Sequence, residues 1–197
     1  KSIFAFVAFS LIASSIYILN DYKDIEADRK HPEKKNRPLA NGSISKGFGL
    51  FLFVVLVSTV VVFVILGQEY FQKNLWKFAV IIGSYFVMNV AYTFKLKHVA
   101  IVDIFIIATG FVLRVLAGGY ATGIKISQWA ILLTFVLALV LAVGKRRGEL
   151  INAAISGKTR KALDGYNVQF ADIVLSISVT LAIICYLMFT LTPEVQD

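Results

Sequence analysis

The sequence predicts an all-α, multi-pass transmembrane helical bundle, and two observations support this fold class. Apolar residues make up 58% of the 197 positions, and the mean hydropathy of +0.76 is too high for an ordinary soluble domain. Charged residues, 16% of the chain, are gathered in short blocks. The apolar stretches between them are about 15 to 20 residues long, roughly what a helix needs to cross the hydrocarbon core.

Six apolar runs predict six transmembrane helices. They lie at about residues 2–19, 48–66, 76–93, 99–117, 129–143 and 170–191. Gly118, Gly119 and Gly123 are expected to end the fourth helix, and Pro193 follows the sixth, because glycine and proline commonly stop helices. We expect a single transmembrane domain over residues 1–197, and the lack of an initiating Met predicts part of a longer protein.

Basic residues are distributed unevenly between the two sides of the predicted bundle. The stretches 21–47, 95–98 and 144–161 contain seven, two and six Lys or Arg, which is fifteen of the twenty in the chain. Since Lys and Arg accumulate in cytoplasmic loops, we expect these stretches on the cytoplasmic face of the plasma (inner) membrane. This distribution accounts for the net charge of +8, so nucleic-acid binding is not expected.

An acidic motif follows the first apolar run. If the helix continues through it, the 3.6-residue period places Asn20, Asp21, Asp24 and Asp28 within an arc of about 100°, with Glu26 pointing away. Carboxylates so close together repel one another and need cations. Their oxygens suit Mg²⁺, which bridges to substrate phosphates, so the motif predicts a metal-diphosphate clamp. The alternative is a solvated helix end whose acids pair with neighbouring Lys and Arg.

A basic loop punctuated by proline and glycine spans residues 31–42. It could fold over bound phosphates. Arg37, beside Pro38 in a constrained backbone, is the predicted phosphate contact, whereas Lys34 and Lys35 are interpreted as ordinary positive-inside charge.

The pattern Asn-Asp-x-x-Asp-x-x-x-Asp at 20–28, followed by Arg-Pro-Leu at 37–39 and an apolar span, resembles the first acidic motif of the UbiA prenyltransferase superfamily. The resemblance implies a nine-helix bundle, of which this chain would supply six helices. It also implies Mg²⁺, or Mn²⁺, held by Asp21, Asp24 and Asp28 on the cytoplasmic side. Members transfer a group from a diphosphate-bearing donor, usually an isoprenoid diphosphate, to an acceptor.

The loop after the third span is similar to the Tyr and basic-residue loop of that family. The resemblance implies that Tyr92, Lys95 and Lys97 contact substrate. Interfacial Tyr and Lys are also common in membrane proteins of other families.

The end of the fifth span departs from the aromatic prenyltransferases of the family, which carry a second Asp-rich motif there. This chain has Gly-Lys-Arg-Arg-Gly-Glu-Leu at 144–150, and on a helix Lys145 and Glu149 share a face flanked by Arg146. Such cations favour direct charge-assisted bonds to phosphate oxygens. The combination is similar to the decaprenyl-phosphate phosphoribosyltransferase branch of the superfamily.

Resemblance to that branch implies phosphoribosyl pyrophosphate as donor and a polyprenyl phosphate as acceptor, with diphosphate released, on the way to arabinan precursors of the cell wall. Asp21, Asp24 and Asp28, supported by Asn20, would hold the metal on the diphosphate. Lys145 is predicted to act with them in catalysis.

Arg146 would bind a phosphate, and Glu149 would orient Lys145 or Arg146 and not take a proton.

Two other functions stay open: an aromatic or quinone-precursor prenyltransferase, and a non-enzymatic transporter with an ion path. Asp103 either completes the site or caps the fourth helix. Arg114 is either functional or snorkels to the outer interface. A homo-oligomer also stays open.

Overall fold

The structure is a computed structural model of the 197-residue chain, and it describes residues 1–67, 75–156 and 165–192. These residues form α-helices and short 3-10 turns, without a strand in the described ranges. Six of the helices are long and apolar enough to cross a membrane. The predicted all-α, multi-pass fold is therefore confirmed. Pro193, expected to follow the last helix, lies outside the described residues.

Each of the six predicted spans forms a helix, and a short seventh helix lies between the first two spans. The helices are α1 (Ser2–Arg29), α2 (Pro38–Asn41), α3 (Lys46–Leu66), α4 (Leu75–Phe94), α5 (Val102–Thr122), α6 (Gln128–Ser156) and α7 (Val168–Leu191). Both α1 and α6 continue past their predicted ends. The residues added are those of the acidic motif and of the basic motif, so both motifs are helical.

The fourth span ends later than the sequence suggested. Gly118 and Gly119 were expected to stop this helix, but they lie inside α5, which runs to Thr122. Gly123 has a φ of 79°, in the left-handed region that ends many helices and that glycine adopts without steric cost. A glycine with helical dihedrals only lowers helix propensity, and this explains why the two earlier glycines do not end α5.

One compact unit comprises Lys1–Phe94 with Tyr120–Ile124. Within it, α1 packs against α3 and α4. Aromatic rings fill these contacts: Phe4 stacks on Phe63 with centroids 4.3 Å apart, and Phe9 lies 4.6 Å from Tyr85. This packing holds α1, and therefore the acidic motif at its end, against two neighbouring helices.

The short helix α2 packs beside the end of α1 and close to α3. Its Leu39 is buried, and a Cβ added at Gly49 of α3 would lie 2.9 Å from a Leu39 methyl. The absence of a side chain at Gly49 thus allows Leu39 to approach the α3 backbone. This contact holds the basic loop near the first motif.

A second compact unit comprises Lys95–Gly119 with Lys125–Asp197. Here α6 and α7 pack along each other, and the buried core includes Ile104 of α5, Val143 of α6 and Ala171 of α7. Val143 and Ala171 are fully buried. Because this core lies next to the basic motif of α6, that end of the helix is held by packing on two sides.

Candidate functional site

The acidic motif occupies the last three turns of α1, and its predicted arrangement on one helix face follows from the helix continuing to Arg29. Asp28 is buried, whereas Asp21 and Asp24 are partly exposed. Glu26 is exposed and pairs with Arg29 at 3.2 Å, so it points away from the other carboxylates as predicted. The face therefore presents oxygen ligands at the end of a span.

Arg37 lies against two of these carboxylates. Its Nη1 donates to Asp21 Oδ1 at 2.7 Å and to Asp28 Oδ2 at 3.0 Å. The backbone of Arg37 is extended, with φ of −62° and ψ of 141°, as expected of a residue that precedes proline. The dipeptide Arg37-Pro38 thus directs the guanidinium back toward α1 while the chain turns into α2.

Besides the Arg37 contacts, a further hydrogen bond joins the basic loop to α1, and another holds the loop together internally. Arg29 Nε donates to the carbonyl oxygen of Ala40 at 2.9 Å, and Asn41 Nδ2 donates to the carbonyl oxygen of Asn36 at 3.1 Å. Gly42 then ends α2 with a φ of 85°. These contacts fix the position of Arg37 relative to the acidic face.

The ligands of the acidic face fit a magnesium ion that is only partly coordinated by protein. In the described ranges, no group of three or more His, Cys, Asp or Glu side chains is arranged to enclose a metal. However, Mg²⁺ usually keeps several waters and takes one or two carboxylates together with substrate phosphates. Asp21, Asp24 and Asp28 supply hard oxygen donors of this type from a single helix face.

The residues of the predicted Tyr and basic loop differ in exposure. Tyr92 is partly buried near the end of α4, in the first unit. Lys95 is exposed, and Lys97 is buried in a 3-10 turn, both in the second unit. Lys97 is therefore enclosed by the protein and does not resemble an ordinary solvated loop cation.

The basic motif lies on α6, where Lys145 is exposed and Arg146 is buried. Arg146 Nε donates to Asp103 Oδ2 at 2.7 Å, and Nη1 donates to Glu149 Oε2 at 2.5 Å. The side chains of Arg146 and Asp103 are only 3% and 0% exposed, so this pair is desolvated. Glu149 thus contacts Arg146, one of the two residues that the sequence suggested it would orient, and the orienting role stays a prediction.

Asp103 lies at the start of its helix and contacts the basic motif, and its part in the site stays a prediction. It lies in the first turn of α5, where a negative charge interacts favourably with the helix dipole. It also accepts the bond from Arg146 and a second one, at 2.6 Å, from the hydroxyl of Tyr166. Burial and the hydrogen bond to Asp103 raise the pKa of Tyr166 above its ordinary value.

Tyr166 is a residue that sequence reasoning missed. It lies in the turn before α7, 63 positions from Asp103, and no motif marks it. The one available signal was a tyrosine between a glycine and an asparagine near the start of a span.

Arg147 and Arg114 make contacts of other kinds. Arg147 Nε donates to Asp172 of α7, and both side chains are more than a third exposed. Arg114 lies eight residues before the end of α5, not in its last turn as the sequence suggested, and its guanidinium is 5.1 Å from the Phe111 ring centroid. The role of Arg114 stays a prediction.

Together the fold and these clusters define an all-α, multi-pass membrane protein with an acidic helix face in one unit and a basic helix end in the other. Residues 2–146 match the UbiA prenyltransferase family, and the chain belongs to that family.

Two relatives and one solved structure illustrate the similarity. The chain is 40% identical over 184 residues to decaprenyl-phosphate phosphoribosyltransferase of Mycolicibacterium smegmatis, which covers 92% of this chain and 55% of the relative. It is 38% identical over 183 residues to the protein of that name from Mycobacterium tuberculosis, covering 92% of this chain and 58% of the relative. The chain thus spans little more than half the length of these curated relatives.

The solved structure is a UbiA homolog from Archaeoglobus fulgidus bound to DMAPP and Mg²⁺. The TM-score is 0.75 with 14% sequence identity, over 99% of this chain and 69% of that one. At this identity the likeness shows the fold alone, and it agrees with the helical bundle described above.

Proposed function

We propose that this chain carries the catalytic motifs of a transferase that moves the 5-phosphoribosyl group from phosphoribosyl pyrophosphate to a polyprenyl phosphate and releases diphosphate. The observation that carries the proposal is the basic end of α6, where Lys145 and Arg146 stand in place of a second acidic motif. The names of the relatives at 38% to 40% identity favour transfer of a phosphoribosyl group to a polyprenyl phosphate.

The acidic face of α1 is the proposed diphosphate end of the site. Asp21, Asp24 and Asp28, with Asn20 in support, would hold Mg²⁺, with Mn²⁺ as the alternative. When bound, the metal neutralises charge that develops on the leaving diphosphate. The Mg²⁺ found with a prenyl diphosphate in the Archaeoglobus fulgidus homolog supports a divalent metal, whereas the choice of these residues rests on the acidic face itself.

Arg37 is the proposed protein cation at this end. Since it already contacts Asp21 and Asp28, it lies where phosphate oxygens would meet the carboxylate-bound metal. A guanidinium presents several N–H donors in one plane and suits phosphate oxygens better than an ammonium does.

The basic end of α6 is the proposed site for a further phosphate. The donor carries a diphosphate on C1 and a phosphate on C5, so it needs cations at both ends. Lys145, which is exposed and forms no ion pair within the described part of the chain, would bind this phosphate together with Arg146. Tyr92, Lys95 and Lys97 would add further substrate contacts.

The chemistry demands positioning more than proton abstraction. An oxygen of the polyprenyl phosphate attacks C1 of the ribose, the new C1–O bond forms, and the bond from C1 to diphosphate breaks with both electrons leaving on the diphosphate. The attacking oxygen is already anionic near neutral pH, so a strong general base is not required. Glu149, which bonds to Arg146, accordingly has an orienting role.

A lipid acceptor also accounts for the membrane location. Its long apolar tail stays among the spans while its phosphate reaches the interface, which we place at the cytoplasmic face of the plasma membrane from the distribution of Lys and Arg. A product of this kind would serve the synthesis of arabinan precursors for the cell wall.

A transfer assay tests the proposal. The full-length protein in detergent is supplied with Mg²⁺, labelled phosphoribosyl pyrophosphate and a polyprenyl phosphate, and label is counted in the lipid phase. We expect transfer that Asp24→Ala abolishes. Glu26→Ala is the matched control, because it removes a carboxylate from the opposite side of the same helix turn, and it should retain transfer.

The same assay with a prenyl diphosphate and an aromatic acid tests the second candidate function, an aromatic prenyltransferase, which the DMAPP of the structural neighbour favours. Activity with this pair alone would overturn the phosphoribosyl proposal.

A further inference from the structure

A continuous series of hydrogen bonds connects three parts of the second unit. The backbone N–H of Ile101 donates to Tyr166 Oη at 2.7 Å, and this hydroxyl donates to Asp103 Oδ1 at 2.6 Å. The other oxygen of Asp103 accepts from Arg146 Nε at 2.7 Å, and Arg146 donates in turn to Glu149 at 2.5 Å. We refer to these five residues as the Tyr166 network.

The centre of the Tyr166 network is closed to solvent. Tyr166 is 7% exposed, Asp103 0% and Arg146 2%. In such surroundings a hydrogen bond is stronger than in water, and a group that loses its partner is costly to leave unpaired. Each member therefore has one strongly preferred orientation, which its neighbours in the series fix.

One end of the network is a strained backbone. Ile101 has a φ of 69°, a region that a β-branched residue rarely adopts. Such conformations persist only where surrounding contacts enforce them. Here the Val102 N–H donates to the carbonyl oxygen of Ala100 at 2.8 Å and closes a tight turn around Ile101. The bond from the Ile101 N–H to Tyr166 holds this turn in place, and with it the segment that connects the turn at Lys97 to α5.

The chain also packs tightly at this point. A Cβ added at Gly165 would lie 2.4 Å from the Cβ of Ala100. The residues that precede Tyr166 and Ile101 are thus in direct contact, and the two segments have little freedom to move apart or slide.

The other end of the network is the basic motif. The bonds to Asp103 and Glu149 use two of the five N–H donors of the Arg146 guanidinium and hold its plane in place. Because Lys145 is the adjacent residue on α6, fixing Arg146 also fixes the helix turn from which Lys145 extends.

We propose that Tyr166 and Asp103 are positioning residues: by holding Arg146 they orient the end of α6, which bears Lys145, for binding the C5 phosphate of the donor. The proposal rests on the proposed function, and it adds two residues outside the sequence motifs to the donor site. It also commits the basic end of α6 to the donor and not to the lipid acceptor.

Kinetics of Tyr166→Phe in the full-length protein test the proposal. The variant removes one hydroxyl, leaves Asp103 Oδ1 unpaired and so loosens Arg146. We expect the KM for phosphoribosyl pyrophosphate to rise about tenfold, the size expected for a misdirected charge-assisted hydrogen bond. The kcat and the KM for the polyprenyl phosphate should change little. Asp103→Asn should also raise the KM for phosphoribosyl pyrophosphate.

Tyr17→Phe is the matched control, because it removes a hydroxyl from an exposed tyrosine of α1, and its kinetics should equal those of the unmutated protein. A second variant separates positioning from folding. Adding Ile101→Gly to Tyr166→Phe relieves the backbone strain, since glycine tolerates positive φ. It should restore the melting temperature but leave the donor KM high.

Each other outcome overturns the proposal in a distinguishable way. If the unmutated protein transfers normally and Tyr166→Phe leaves the donor KM unchanged, the positioning role alone is overturned. If Ile101→Gly restores the donor KM in the Tyr166→Phe background, Tyr166 only stabilises the backbone at Ile101 and does not position Arg146. A rise in the acceptor KM alone would assign the α6 end to the lipid phosphate. Absence of transfer by the unmutated protein would overturn the proposed function as well.

Discussion

Arg37 donates a hydrogen bond to Asp21 over 2.7 Å, although sixteen positions separate the two residues in the sequence. The bond joins the basic loop to the first carboxylate of the acidic motif. The same Nη1 reaches Asp28 at 3.0 Å, so one cation balances two acids that would otherwise repel each other. The diphosphate end of the proposed site is therefore built from both the helix and the loop.

We predict that Arg37→Gln raises the KM for phosphoribosyl pyrophosphate about tenfold, because it removes a charge-assisted phosphate contact. The Mg²⁺ concentration for half-maximal activity should fall, since the carboxylates lose their competing protein cation. Steady-state kinetics at varied donor and Mg²⁺ measure both. Lys35→Gln removes the same charge from the same loop and should leave both constants near those of the unmutated protein. An unchanged donor KM in Arg37→Gln would exclude the phosphate contact.

We predict that Gly165→Ala lowers both the melting temperature and the activity. The added Cβ would overlap with the Cβ of Ala100 and push Tyr166 away from Ile101. Ala100→Gly makes room for that methyl group, so the double variant Ala100→Gly with Gly165→Ala should recover much of both quantities. Thermal unfolding in detergent and the transfer assay measure the effects. A double variant no better than Gly165→Ala would show that the contact between these two positions is not the cause.

Lys145 and Arg147 offer a test within one helix turn. Lys145→Gln should lower activity about tenfold or more, because it removes an exposed cation from the proposed phosphate site. Arg147 instead pairs with Asp172 at the protein surface, and exposed pairs of this kind contribute at most about 1 kcal/mol to stability. Arg147→Gln should therefore keep its activity. Equal losses in the two variants would indicate a general effect of charge at this end of α6.

We predict that the stabilising effect of the Tyr166 hydroxyl declines at high pH. Its pKa is raised in the folded protein by burial and by the bond to Asp103, so folding favours the protonated phenol. The contribution is fully present below the ordinary tyrosine pKa of about 10 and is lost as the pH rises through the higher folded value. The difference in melting temperature between the unmutated protein and Tyr166→Phe should shrink above about pH 10. A difference that grows with pH would contradict this sign.

The spans and both motifs could be predicted because their signals are local. Hydrophobic run length located all six membrane helices, and helical periodicity predicted that Asp21, Asp24 and Asp28 would share a face. The length of the helices was harder to predict. Charged residues end an apolar run but not a helix, so the spans were expected to stop before the motifs that in fact extend them.

Contacts between distant parts of the chain could not be predicted. Asp103 and Arg146 are 43 positions apart, and the sequence contains nothing that pairs them. The positive φ at Ile101 was equally hidden, because an isoleucine rarely adopts it. It accompanies the bond from the Val102 N–H to the Ala100 carbonyl and the long-range bond to Tyr166. The end of α5 was predicted too early, at Gly118, because the backbone dihedrals of a glycine decide whether it stops a helix and the sequence does not reveal them.

The acidic and basic motifs sit on the two longest helices of the described chain, of 28 and 29 residues. At about 1.5 Å per residue, each extends roughly 42 Å, well beyond a hydrocarbon core of about 30 Å. Each motif therefore lies on the same continuous helix as a membrane span. Insertion or deletion of one residue in either span would turn the motif by about 100° about the helix axis. We therefore expect that the number of residues between the lipid-facing side chains and the motif is fixed, because it sets the direction in which the motif faces. One apolar residue of the span can replace another without changing that number.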